Sequence, residues 1–144
     1  MPIEIRKAFE DDVNAIFNID KFSFDLPWSK KSIRMLIVED KLAEILIAAL
    51  DGKVTSYISY MKIFDEIHIQ NVATAPEYRG RGIGSKLLKH LISYADDNNL
   101  KITLEVNTKN TRALSLYKKY GFKAVSIRKD YYGIDKDAFI MWRD

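Results

Sequence analysis

The chain has 144 residues and a mass of 16.7 kDa, which fits one domain of ordinary size, residues 1–144, and leaves no room for a second core. Its 47% apolar and 30% charged residues exclude a disordered chain. The 23 basic against 20 acidic residues leave a net charge of +3 with no block of five or six cations, which excludes a basic nucleic-acid arm or polybasic membrane patch and leaves an anionic small molecule as a compatible ligand. Ile3 to Arg6 reads as a short strand, and Glu10, Asp11 and Asp12 supply the acidic first turn of a helix carrying Val13, Ile16 and Phe17. Phe22 to Trp28 reads as an aromatic loop closed by Pro27, with Ser29 as N-cap of a second helix bearing Ile33, Leu36 and Ile37. Ala43 to Leu50 and Lys53 to Met61 are β-rich runs joined by Asp51-Gly52, a hairpin dipeptide, and Ile67 to Thr74 is a further strand.

After a loop from Ala75 to Arg81, the residues Ile83, Leu87, Leu88, Leu91, Ile92 and Ala95 recur with helical period and define one core face. Lys101 to Val106 reads as a strand, Asn110 to Tyr120 as a short helix stopped by Gly121, and Phe122 to Arg128 with Asp137 to Trp142 as a closing strand pair. The order β-α-α-β-β-β-α-β-α-β-β predicts an α/β domain with a mixed sheet. The chain holds no cysteine, which excludes disulfides, zinc-thiolate sites and a cysteine nucleophile, and His68 and His90 have no neighbouring ligand cluster, so no metal is expected. The longest apolar run, Ile45 to Leu50, is far shorter than the ~20 residues that cross a bilayer, and no signal-peptide stretch opens the chain. A cytoplasmic protein without membrane or direct nucleic-acid binding is expected.

The segment Arg79-Gly80-Arg81-Gly82-Ile83-Gly84-Ser85 lies between a predicted strand and the clearest helix. Glycines at alternate positions let the backbone approach a ligand, and a helix N-terminus offers unpaired N–H groups to phosphate. A plain glycine-rich turn that starts a helix is the alternative. A P-loop fails, because Gly52-Lys53 has Ile47 where the first glycine belongs. A dinucleotide fingerprint has Ser85 in place of its third glycine, with Glu105 at a suitable distance, but only 39 residues follow Glu105, hardly enough for further βαβ units.

Arg79-x-x-Gly82-x-Gly84, preceded by Asn71 to Tyr78 and followed by Asn110-x-x-Ala113-x-x-Leu116-Tyr117-x-x-x-Gly121-Phe122, resembles the GNAT superfamily of acyl-CoA-dependent N-acyltransferases over the whole chain. Pro27-Trp28-Ser29, Leu104-Glu105-Val106, Asn110, Tyr117 and the tail from Arg128 to Met141 resemble, within it, the bacterial ribosomal-protein alanine N-acetyltransferases, with Thr74 a departure from their usual valine. The resemblance implies a single GNAT-like domain with a mixed, mostly antiparallel sheet, flanking helices and splayed central strands. It implies that acetyl-CoA is the acyl donor, its pyrophosphate cradled by the backbone of Gly80, Arg81, Gly82, Ile83, Gly84 and Ser85 beside Arg79, and its arm lying between the strands that end near Thr74 and Val106. A bulge in the first of these would free the amides of Val72, Ala73 and Thr74 for the arm and the thioester carbonyl. Asn110 would bond the arm, or act only as a helix N-cap.

Glu105 shares a strand face with Thr103 and is either a solvent-facing carboxylate or, as the resemblance implies, the general base. Tyr117, two helical turns after Asn110, is either a core tyrosine or the general acid for the departing thiolate. Trp28, Tyr131 and Tyr132 are candidate walls of a peptide-accepting cleft, or surface aromatics packed on the core. The expected reaction is direct attack by a primary amine in a ternary complex, the leading acceptor being the N-terminal alanine of a small-subunit ribosomal protein. Lysine or a polyamine as acceptor, and a non-catalytic acyl-CoA-binding module, are the alternatives.

Overall fold

The structure is a computed structural model that describes residues 2–23 and 27–144. Its elements follow the predicted order: β1 (Ile3–Lys7), a 3-10 turn (Glu10–Asp12), α1 (Val13–Ser23), α2 (Lys30–Val38), β2 (Ala43–Leu50), β3 (Lys53–Ile63), β4 (Glu66–Thr74), a second 3-10 turn (Pro76–Tyr78), α3 (Ile83–Asp97), β5 (Lys101–Asn107), α4 (Thr111–Lys119), β6 (Lys123–Arg128) and β7 (Ala138–Arg143). The expected aromatic loop is shorter than predicted, because α1 runs on through Phe22 and Ser23, where the Ser23 hydroxyl bonds back to the Ile19 carbonyl at 2.8 Å. The rest of that loop, residues 24–26, lies outside the described residues.

Local chemistry sets the element ends. Asp51 and Gly52 take φ of 53° and 78°, the paired positive values a two-residue hairpin turn demands, and join β2 to β3. Ser29 caps α2 by accepting the Ser32 amide at 3.1 Å, and Asn110 caps α4 by accepting the Ala113 amide at 3.1 Å. Asp12 sits under the start of α1, accepting both Arg6 nitrogens at 2.8 and 3.0 Å and the Phe9 amide at 2.9 Å. Burial alone would raise its pKa, but those bonds and the Arg6 charge prevail and hold the carboxyl below its ordinary value.

The strands form one seven-stranded sheet in the order β1-β2-β3-β4-β5-β7-β6, antiparallel throughout except between β4 and β5. Alternation divides the core into two. Leu46, Ala48, Ile58, Ile67, Ile69, Ile102, Leu104 and Val106 meet the six predicted core positions of α3, with α4 packed against the same cluster. Ile45, Ile47, Ala49, Tyr57 and Ala73 face the other way, onto Ile16 and Ile19 of α1 and Ile33 of α2.

Candidate active site

The parallel pairing of β4 with β5 is limited to Glu66 with Lys101, Ile67 with Ile102 and His68 with Thr103. Beyond it β4 stays with β3 to Thr74, while β5 stays with β7 to Asn107, so a gap opens between the two central strands. The amide of Ala75 donates to the Thr55 carbonyl on β3 at 2.8 Å; by strand alternation Ala73 also faces β3, and the amides of Val72 and Thr74 face the gap. The register shift in β4 falls upstream of the expected bulge at Val72 to Thr74: Tyr60 opposes Ile69 and Ser59 opposes Asn71, with Gln70 the extra residue. The Ser59 hydroxyl accepts the Asn71 amide at 3.2 Å, which satisfies the group that the bulge displaces from the ladder. Thr74 is likewise matched, its hydroxyl 2.9 Å from that of Ser56.

At the end of β4 the chain turns through Gly80 and Gly82, whose φ values of +79° and +76° disfavour any residue with a Cβ. Gly84 differs from both, since it stands in the first turn of α3 with its Cα facing the Thr74 Oγ1, which a Cβ would meet at 3.6 Å. Among the described residues no side chain caps α3, in contrast with α2 and α4, so the amides of Ile83, Gly84 and Ser85 open on the end of the glycine turn. Arg81 lies over the Tyr78 ring at 5.2 Å. Arg79 is tied down, its Nε donating to the Thr74 carbonyl at 3.0 Å and its Nη2 to the Ser23 hydroxyl at 3.2 Å; it braces the ends of β4 and α1 while adding positive charge to the turn.

Glu105 and Tyr117 approach the gap from opposite faces of the sheet. Glu105 alternates with Leu104 and Val106, which face α3, so it points to the α1/α2 face, opposite Ile140 on β7. Its carboxylate is about one-third exposed, 4.0 Å from the Arg128 guanidinium, and accepts no hydrogen bond among the described residues. Tyr117 packs on the α3 cluster with its ring 5.5 Å from that of Phe122, and burial pushes its phenol up to about 12. Tyr132 ties the two faces together. Its hydroxyl donates to the Glu105 carbonyl at 3.0 Å, and its phenol is pushed up to about 12 by burial first, then by the neighbouring Tyr131, Glu105 and Tyr117.

The remaining candidates divide between the two sides of the gap. Tyr131 stacks edge-on against Tyr132 at 4.8 Å and lies under the Arg128 guanidinium at 5.0 Å, on the Glu105 side. Trp28 belongs to the β4 side, half-buried against the α1/α2 cluster, with its amide donating to Asp20 Oδ2 at 2.6 Å. Asn110 is an exposed N-cap. Two residues at the site escape sequence reasoning, the buried pair Asp20 and Tyr57, whose hydroxyl donates to Asp20 Oδ1, while Arg128, read there only as the start of the tail that carries the resemblance, stands beside Glu105. The one signal for Asp20 is a carboxylate four residues after Ile16, on the inward stripe of α1.

The acetyltransferase (GNAT) family model matches residues 13–122 of the chain. A ribosomal protein bS18-alanine N-acetyltransferase of Escherichia coli (strain K12) is 31% identical over 134 residues, 90% of this chain and 89% of that protein. A Bacillus subtilis (strain 168) protein provisionally given the same name is 33% identical over 140 residues, 96% of this chain and 93% of its own length. The crystal structure of the ribosomal-protein-S18-alanine N-acetyltransferase from Escherichia coli superposes with a TM-score of 0.89 at 27% identity, covering 99% of this chain and 93% of that one.

The glycine turn generates a paired test. Gly82→Val must hold a β-branched residue at φ of +76°, and its acetyl-CoA affinity, read by calorimetry, is expected to fall at least about tenfold. Gly84→Ala meets Thr74 at an ordinary contact distance and should bind within about threefold of the parent. Parent-like affinity in a folded Gly82→Val protein would remove the turn from the cofactor site.

Proposed function

The chain belongs to the GNAT acetyltransferase family, and from that premise we propose that it transfers the acetyl group of acetyl-CoA to the α-amine of a protein N-terminus, that of an alanine-ending small-subunit ribosomal protein above all. The observation that carries the reading is the parting of β4 and β5 with an uncapped glycine turn at one end and Glu105 and Tyr117 on either face. The acyl-CoA arm lies in the gap with its pyrophosphate on the amides after Gly82 and its acyl carbonyl against the amides of Val72 and Thr74, the Ala73 amide being turned to β3. Asn110, at the mouth of the gap, meets the arm.

The acceptor enters from the α1/α2 face, between Trp28 on one side and Tyr131 and Tyr132 on the other. Glu105, directly or through water, takes a proton from the ammonium; the amine nitrogen attacks the thioester carbon, the C–S bond breaks as Tyr117 gives its proton to the departing thiolate, and the second nitrogen proton, shed as the neutral amide forms, returns through water to the Tyr117 phenolate while Glu105 releases its own to solvent. No covalent acyl-enzyme is formed. An N-terminal amine suits this step, since a pKa of ~8 leaves roughly a tenth neutral at pH 7, against well under a thousandth for lysine at ~10.4.

Mass spectrometry of peptides differing only in a free or blocked N-terminus tests the acceptor. The free alanine peptide should be acetylated at its α-amine, and preferential modification of an internal lysine would overturn the assignment. Glu105→Gln should lose the most rate near neutral pH, with the defect shrinking as rising pH deprotonates the amine unaided; a profile parallel to the parent's would clear Glu105 of the role. Tyr117→Phe should lower kcat on the order of 10²-fold with acetyl-CoA affinity kept. Because the phenol is pushed up to about 12, the parent's kcat should show no loss from its ionisation up to about pH 10, and a falling limb near pH 8 that vanishes in Tyr117→Phe would contradict a phenol held neutral by burial.

A further inference from the structure

Asp20 is fully buried among the aliphatic side chains of the α1/α2 cluster, and among the described residues no cation bridges it. Such a carboxylate is far costlier to bury than the leucine or methionine that would fill the same place, and it persists where its directional bonds are needed. Both of its oxygens are committed: Oδ1 accepts the Tyr57 hydroxyl, and Oδ2 accepts the Trp28 amide at 2.6 Å. Each donor belongs to the cleft. Tyr57 stands on β3 directly opposite Ala73, between the two β4 residues whose amides face the gap, and the Asn71 side chain at the bulge lies beside its hydroxyl. Trp28 opens the segment that leads into α2. One turn beyond Asp20, Ser23 receives Arg79, which also grips the Thr74 carbonyl, so the end of α1 is seated at the open end of β4.

We propose that Asp20 is a positioning residue for the acceptor: through Tyr57 and the Trp28 amide it fixes the end of α1 and Trp28 as the β4-side wall of the cleft that seats the first residues of the acceptor chain. The inference rests on the reading that the acceptor enters from the α1/α2 face, where Glu105 points. The amides that open α3 belong to a helix packed on the opposite face of the sheet, and neither Asp20 nor Tyr57 bonds to them, so the acceptor side carries the larger effect.

Steady-state kinetics on Tyr57→Phe, Asp20→Asn and the double variant test it, with acetyl-CoA and the alanine-ending peptide, or whichever amine the parent accepts, varied in turn. Each single variant should raise KM for the acceptor about tenfold, the consequence of one lost bond to a charged group, with KM for acetyl-CoA within about twofold. The double variant should be no worse than the more severe single one, because the two residues share one bond. Tyr57→Phe keeps the ring and carries the test alone if Asp20→Asn does not fold. An unchanged acceptor KM, or equal rises in both KM values, would overturn the positioning role. A parent that transfers acetyl to no amine would instead overturn the functional reading and this inference with it.

Discussion

Everything at the site follows from how little β4 and β5 share. Three residue pairs join them, and each then remains with its antiparallel partner, β4 with β3 and β5 with β7. Those outer partnerships hold both halves of the sheet rigid while leaving two inward edges unpaired, an arrangement that in an ordinary sheet invites aggregation. Here the amides of Val72 and Thr74 face the opening between the two strands. Parallel strands also send their connections to the same end, so the glycine turn after β4 and the Asn110 cap after β5 open on one mouth.

The gap also brings the two faces of one sheet into communication at a single opening. A side chain on β5 alternates away from α3, and a side chain on α4 packs toward it, so Glu105 and Tyr117 would be separated by the sheet itself if the central ladder were complete. Their environments differ accordingly. Tyr117 has an apolar surround that keeps its proton on, whereas Glu105 stands about one-third exposed on the other face of the sheet. Tyr132 spans the difference by bonding the Glu105 backbone carbonyl while lying near Tyr117.

Much of this is legible in the sequence, for reasons that differ by element. The six apolar positions of α3 obey a period that only one helix face satisfies, and Asp51-Gly52, Ser29, Asn110 and Gly121 each match a local backbone demand, so those boundaries are readable. The Gln70 shift is not, because a bulge is a property of the β3 and β4 pairing, and the Ser59 hydroxyl that absorbs it lies on the other strand. Charge beside glycines makes Arg79 read as a phosphate ligand. Its bonds to Thr74 and Ser23 join positions far apart in the chain, which no local pattern encodes. From sequence Tyr117 carries an ordinary phenol, and its raised pKa depends on burial contributed by Phe122 and the strands beneath.

Two carboxylates border the cleft on the α1/α2 face, and hydrogen bonding decides which can act as a base. Each oxygen of Asp20 already accepts a bond, from the Trp28 amide or the Tyr57 hydroxyl, and the carboxylate is fully buried, so it is closed to an incoming group. Glu105 accepts nothing among the described residues and has a guanidinium only at 4.0 Å, too far to occupy its oxygens with a hydrogen bond. Glu105 therefore keeps accessible acceptor sites, whereas burial shuts Asp20 away. The same kind of side chain serves as a fixed strut in one position and as a candidate proton acceptor in the other, and the difference is whether neighbouring N–H and O–H groups have already claimed its lone pairs.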